Sequence, residues 1–98
     1  MSFPIVVSDA LSRRVPGFAA GKFHAFQLAV ADIVKGRGQG SKVFTSTKTH
    51  RDFYIYERYE FKLYYSLDPL VEGSRVFEEF LSAGEEDLIM DTFAEGPD

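Results

Sequence analysis

Apolar and polar side chains alternate along residues 51–68, RDFYIYERYEFKLYYSLD, and this alternation predicts β-structure. A single strand of this length would span roughly 50 Å at about 3.3 Å per residue, far more than the radius of gyration of about 13 Å expected for such a chain. We therefore predict a β-hairpin, with a three-residue loop over residues 57–59 that keeps the apolar parity in register. The core-facing residues are then Phe53, Ile55, Phe61 and Leu63, and the outer residues are Tyr54, Tyr56, Lys62 and Tyr64.

Two helices are predicted before the hairpin. Ser8 is a suitable N-cap for a short helix that begins at residues 9–11, and Pro16-Gly17 separates it from a longer helix over about residues 19–35. Gly36 is well placed to end the longer helix. Leu28 lies nearly opposite the apolar stripe of this helix, which leaves open a second contact surface, for instance to another copy of the chain. The stripe, which we expect to face the core, consists of Phe23, Phe26, Val30, Ile33 and Val34.

The remaining segments complete an α+β fold. Residues 3–7 are short and β-branched, so we expect them to form a strand that joins the sheet, and residues 43–47 offer another. Residues 74–81 and 85–93 place apolar side chains at helical spacing and are expected to be helical. The chain is thus predicted to form one domain, residues 1–98. Its small antiparallel sheet has a central aromatic hairpin, packs against one or two N-terminal helices and precedes a helical, acidic C-terminus.

The net charge of −4 hides an uneven distribution. Residues 1–77 hold all eleven Lys and Arg against seven acids, a net charge of +4, whereas residues 78–98 hold eight acids and no base. The acidic segment can keep the protein in solution, cover a basic surface of its own chain or dock on a basic partner.

Composition also bounds the chemistry. Without cysteine there is neither a disulfide framework nor a thiolate metal site, and the two histidines lie far apart in sequence, so we expect no metal and no cofactor. The absence of a signal peptide and of a long apolar run favours a cytoplasmic protein with no membrane association.

Cations and hydroxyls near the hairpin are candidate ligands of phosphate groups. The glycine-rich run GRGQG at 36–40 follows a helix rather than a strand and lacks the P-loop spacing, so we interpret it as a linker. Outward-facing tyrosines beside Arg58 and Lys62 would form a platform for single-stranded nucleic acid. Alternatively, these tyrosines lie half-buried beneath a helix with their hydroxyls at its rim. The candidate binding residues are Arg37, Lys42, Lys48, Tyr54, Tyr56, Lys62 and Tyr64.

The hairpin, DFYIYE followed by YEFKLYYSLD, comes after a strand and two helices, and this order resembles the RelE/ParE superfamily of small bacterial toxins. The segment IVVSDALSRRV is similar to the opening strand and first helix of that family. The resemblance implies a compact α+β toxin of a toxin–antitoxin module, held by a cognate antitoxin and acting as a ribosome-dependent ribonuclease or as a gyrase poison. Where ribonuclease members carry cations, this chain has Tyr54, Tyr56 and Glu60, so action by binding fits better. If the chain does cleave RNA, the candidates for phosphate contact and proton transfer are Lys48, His50, Arg51 and Arg58, with Asp52 as the carboxylate nearest to His50 in sequence.

Two hypotheses follow from different classes of protein. The first is a RelE/ParE-like toxin that acts by binding rather than as an enzyme. The second is a non-enzymatic protein-binding module, such as an inhibitor, whose acidic C-terminal segment or aromatic sheet face docks on a basic partner. Both predict a protein partner, an antitoxin or a target, and both leave open nucleic-acid binding and a homodimer.

Overall fold

The computed structural model describes residues 6–82 as two helices packed on a four-stranded antiparallel sheet. This confirms the predicted α+β class, with its antiparallel sheet and N-terminal helices; the helix expected over residues 85–93 lies outside the described residues. Within residues 6–82, no helix is both long and apolar enough to cross a membrane. The elements are α1 (Asp9–Arg14), a 3-10 turn (Val15–Gly17), α2 (Ala20–Val34), β1 (Ser41–Thr45), β2 (Asp52–Arg58), β3 (Phe61–Leu67) and β4 (Val76–Ser82).

The strands lie in the order β1-β2-β3-β4, and each neighbouring pair is antiparallel. Just before α1, Val7 forms an isolated parallel bridge with Phe77 of β4. The N-terminal segment therefore meets the sheet beside β4, as expected, although residues 3–5 of the predicted strand lie outside the described range.

Local signals predicted both helices correctly. The Ser8 side chain accepts a hydrogen bond from the Leu11 backbone N–H at 3.1 Å and so caps α1. Gly36 follows α2 with a φ of 74°, the left-handed conformation in which glycine commonly ends a helix.

The apolar stripe of α2 faces the core over most of its length, but Phe23 does not. Phe26, Val30 and Ile33 are buried against the sheet, whereas Phe23 is 39% exposed. At that end of the helix Phe18 fills the core instead, because its ring packs 6.1 Å from the ring of Phe26.

The β2–β3 hairpin is present, but the predicted register is wrong. The loop has two residues, Tyr59 and Glu60, and Arg58 pairs with Phe61. Tyr59 adopts a φ of 55°, and the mirror-image turns of short hairpins require this left-handed conformation. With this register Tyr54 and Tyr56 lie on the helix-facing side of the sheet. The opposite face carries Phe53, Ile55, Lys62 and Tyr64.

The helix predicted over residues 74–81 is wrong, because Val76–Ser82 form β4. A β-bulge explains the misleading spacing. Tyr64 pairs with Glu79 and Tyr65 with Phe77, so Glu78 is an extra residue in β4. The bulge lets Phe77 and Phe80, three positions apart as in a helix, both lie in the core with α1 and α2.

Candidate functional site

Arg51, one of the candidate catalytic residues, fastens the sheet to the β3–β4 loop. Its Nε donates a hydrogen bond to Ser66 Oγ at 3.0 Å, and its Nη2 donates to the backbone oxygens of Ser66 and Ser74 at 3.2 and 2.5 Å. With its donors occupied in this way, the guanidinium has a structural role.

Arg58 also has a structural role. Its Nη1 forms an ion pair and a hydrogen bond with Asp32 Oδ2 on α2, and the Tyr56 hydroxyl donates to the same oxygen at 2.9 Å. Partial burial, followed by the hydrogen bond to Asp32, raises the pKa of Tyr56. This group of three side chains joins α2 to β2.

His50 and Lys48 lie in the β1–β2 loop with exposed side chains. The loop is organised by buried Ser46, whose hydroxyl oxygen accepts hydrogen bonds from the backbone N–H groups of Lys48 and Thr49 at 3.2 and 3.1 Å. His50 turns the chain with a φ of 61°.

Asp52 is not positioned to orient His50. Its Oδ1 accepts a hydrogen bond from Thr45 Oγ1 at 2.6 Å and lies 3.5 Å from Lys42 Nζ. Arg58 stands at the far end of β2, about 20 Å away for a strand of this length. The candidate catalytic residues therefore do not converge on one substrate position.

The proposed nucleic-acid platform is divided between the two faces of the sheet. Tyr54 and Tyr56 lie half-buried on the side of the sheet that α2 covers. Lys62 and Tyr64 occupy the opposite face, where Lys62 Nζ lies 3.8 Å from a carboxylate oxygen of Glu57. Tyr64 is buried there beside Leu81 and Ile55. Arg37 is exposed after the end of α2, away from both sets, and Lys42 is exposed on β1.

The glycine-rich run after α2 is a packed helix end rather than a simple linker. The backbone N–H groups of Gly36, Arg37 and Gly38 donate to carbonyl oxygens of α2, so they do not form a phosphate cradle. A Cβ at Gly38 would lie 2.5 Å from the Tyr56 ring, and one at Gly40 would lie 2.7 Å from the Tyr65 hydroxyl. These two glycines allow the tyrosine rings to reach the loop.

Two adjoining cavities open at the C-terminal end of α2, and Leu67 and Arg75 line both of them. The larger has a volume of about 480 Å³ and is walled by the β3–β4 loop, Val34 and Phe77. The smaller has a volume of about 310 Å³. Its other lining residues are Ile33, Gly36, Gly38, Gln39, Tyr54 and Tyr65.

Polar groups of the smaller cavity form a set of hydrogen-bond donors. The rings of Tyr54 and Tyr65 stack at a centroid distance of 5.2 Å and an angle of 6°. The Tyr65 hydroxyl oxygen accepts a hydrogen bond from the Gly40 N–H at 2.9 Å, which leaves its own proton for another acceptor. Burial raises the pKa of Tyr65, and the hydrogen bond from Gly40 and, to a smaller extent, the charge of Arg75 offset part of the rise, so the phenol is protonated at neutral pH.

Arg75, which the sequence did not single out, is the only cation among the described residues that line the two cavities. It is half-buried, and its Cζ lies 5.7 Å from the centroid of the Phe77 ring. No residue between 6 and 82 forms an ion pair or a side-chain hydrogen bond with its guanidinium. Across the same range, no three His, Asp or Glu side chains come together as metal ligands would.

No match was found when the chain was compared with models of protein families, with curated proteins and with solved structures.

Proposed function

We propose that this protein is a RelE/ParE-like toxin of a toxin–antitoxin module that acts by binding its target. The order of elements supports the proposal: a segment at Val7 bridged to the sheet, α1, α2 and then antiparallel strands that include the aromatic hairpin β2–β3. This is the order on which the resemblance to the family rests.

Binding rather than ribonuclease chemistry is favoured by the placement of the cations. General acid–base catalysis needs its groups within about 3 Å of the protons that they transfer. Arg51 is held by Ser66 and Ser74, Arg58 is held by Asp32, and His50 stands alone in a loop. This dispersal of the candidate catalytic residues is the observation that carries the proposal.

Controlled expression of the chain in a bacterium tests this function. We expect growth to stop without cleavage of cellular messages, and plasmid supercoiling then reports whether gyrase is the target. His50→Ala and Lys48→Ala change exposed side chains and should leave toxicity unaltered, whereas a ribonuclease that used them would lose it. Leu63→Asp, which disrupts the core, is the inactive control. Normal growth of cells that accumulate the soluble wild-type protein would contradict the proposal.

A protein-binding module is the second candidate, and the distribution of charge supports it. Glu78 and Glu79, counted with the acidic segment, belong to β4: Ser66 Oγ donates to Glu78 Oε2 at 2.6 Å, and Arg14 Nε lies 3.1 Å from Glu79 Oε1. The other six acids lie in residues 85–98, which contain no base. Such a segment suits a basic partner.

A pull-down from lysate distinguishes this second candidate. Deletion should begin after residue 82, because removal from residue 78 would destroy β4. A full-length variant with Glu85→Gln, Glu86→Gln and Asp87→Asn is the matched control for lost charge. If both variants retain every partner of the wild type, the acidic segment is not the docking surface.

A further inference from the structure

The half-buried guanidinium of Arg75 lies where a ligand can reach it. It lines both cavities at the end of α2 and has no carboxylate partner among residues 6–82. An arginine that has no counter-charge among the described residues and is packed against an aromatic ring is well suited to receive an anion, because its planar fork matches the two oxygens of a carboxylate.

Neighbouring phenols supply further donors. The Tyr65 hydroxyl oxygen accepts from Gly40, and no residue between 6 and 82 accepts its proton. Tyr54 stacks on Tyr65, and within residues 6–82 its hydroxyl has no hydrogen-bond partner. Gln39 adds an amide to the same wall. Among the described residues that line the smaller cavity, Arg75 is the sole charged one, so an anion meets attraction from it without a competing negative charge from that set.

The adjoining larger cavity favours a ligand whose remaining part is apolar. Its apolar walls include Val34, Leu67 and Phe77, and Leu70 at the loop is 91% exposed. A hydrocarbon group lying there would cover apolar surface that is otherwise in water. Asp68 and Glu72 also line this cavity, which disfavours a second negative charge on the ligand.

We propose that these cavities form a binding site for a small amphipathic monocarboxylate, whose head group is held by Arg75, Tyr54 and Tyr65 and whose hydrocarbon part lies in the larger cavity. Volumes of this size are typical of sites for small molecules. The proposal goes beyond the proposed function and does not depend on it, because neither binding nor its test requires growth arrest.

Titration of the full-length protein with octanoate, followed by NMR and calorimetry, tests the site. We expect shifts centred on the Gly40 N–H and the Arg75 side chain. The neutral isostere octanamide should bind at least about fivefold more weakly, because it lacks the charge-assisted contacts. Inorganic phosphate is expected to leave these signals unchanged. Equal binding of octanoate and octanamide, shifts centred elsewhere or no octanoate binding would overturn the proposal.

Matched variants separate the site from general effects of charge. Arg75→Gln should weaken octanoate binding at least about fivefold, while Arg37→Gln, at an exposed arginine that lines neither cavity, should not change it. Tyr54→Phe keeps the stacked ring and removes one donor, so it should weaken binding, with Tyr59→Phe at an 88% exposed tyrosine as its control. A smaller effect of Arg75→Gln, or equal effects of the two arginine variants, would contradict the assignment.

Discussion

Two neighbouring sites between the C-terminal part of α2 and the sheet use the same types of residue with different results, and we call them the closed end and the open end. At each of them a glycine admits a tyrosine ring and an arginine lies nearby. Only the closed end has a carboxylate from α2. The closed end consists of Gly38, Tyr56, Arg58 and Asp32, and the open end consists of Gly40, Tyr65, Tyr54 and Arg75.

This difference shows that one side chain, Asp32, determines whether a neighbouring arginine has a structural role or can bind a ligand. Asp32 accepts hydrogen bonds from both Tyr56 and Arg58, so these two donors join β2 to α2. At the open end the Tyr65 hydroxyl accepts a hydrogen bond from the Gly40 N–H, and no residue between 6 and 82 occupies the hydrogen-bond donors of Arg75. The type of residue is therefore a poor guide to function unless its counter-charge is known.

The largest expected effect on stability is that of Gly40→Ala, which disrupts the packing of the open end. The new Cβ would lie 2.7 Å from the hydroxyl oxygen of Tyr65, which is buried and stacked on Tyr54 and so has little room to move. We expect the free energy of unfolding to fall by about 2 kcal/mol, as for overpacked cores.

Urea unfolding measures this change, and Gly21→Ala is its control. A Cβ at Gly21 meets nothing within 4 Å, and the residue lies in α2, so alanine should stabilise the protein by about 0.5 kcal/mol. Equal effects of the two substitutions on the free energy of unfolding would show that the close contact with Tyr65 does not destabilise Gly40→Ala.

At the closed end, Asp32→Ala should lower the free energy of unfolding by about 1 to 2 kcal/mol. It removes the shared acceptor of Tyr56 and Arg58. Hydrogen bonds to charged groups contribute about 1.5 to 3 kcal/mol, and solvent at this partly exposed site reduces the value. Glu57→Ala breaks the exposed pair with Lys62 and should change stability by less than about 0.5 kcal/mol. If the two variants unfold at the same urea concentration, Asp32 does not tie the helix to the sheet.

The sequence predicted the parts of the fold that depend on neighbouring residues. Ser8 and Gly36 bound α1 and α2 through contacts a few positions away, and both predictions hold. The register of β2 depends instead on where Tyr56 and Tyr65 find partners, at Asp32 and Gly40, more than twenty positions away. Parity alone places Phe53 and Ile55 in the core and does not include those distant partners.

The open end was not predictable for a related reason. Arg75 belongs to no motif, and its surroundings come from α2, β2, β3 and the glycine-rich run together. The helix predicted over residues 74–81 includes Arg75, and this prediction is wrong because the β4 bulge mimics helical spacing at Phe77 and Phe80. With that strand misassigned, the sequence could not place Arg75 beside Tyr54 and Tyr65.

The two tyrosines also predict a dependence of stability on pH. The pKa values of Tyr56 and Tyr65 are raised in the folded state, the first by burial and then Asp32, the second by burial. Their protonated forms thus stabilise the fold fully below the unfolded pKa of about 10, and this contribution is lost as pH rises through the folded values. Each group lowers the free energy of unfolding by at most about 1.4 kcal/mol per pH unit in that window. Between pH 9 and 11 the free energy of unfolding should fall less steeply with pH for Tyr65→Phe than for the wild type. Parallel curves for the two proteins would contradict a raised pKa at Tyr65.

The smallest expected effect is that of Arg75→Gln on the free energy of unfolding. Arg75 has no counter-charge among residues 6–82, so its removal should change the free energy of unfolding by no more than about 0.5 kcal/mol. Arg58→Gln should be clearly more destabilising, because it leaves Asp32 without its cation. Thermal unfolding of both variants at neutral pH is the measurement. A large loss of stability in Arg75→Gln would show that Arg75, like Arg51 and Arg58, has a structural role. A side chain that serves to bind a ligand contributes little to the stability of the unliganded fold.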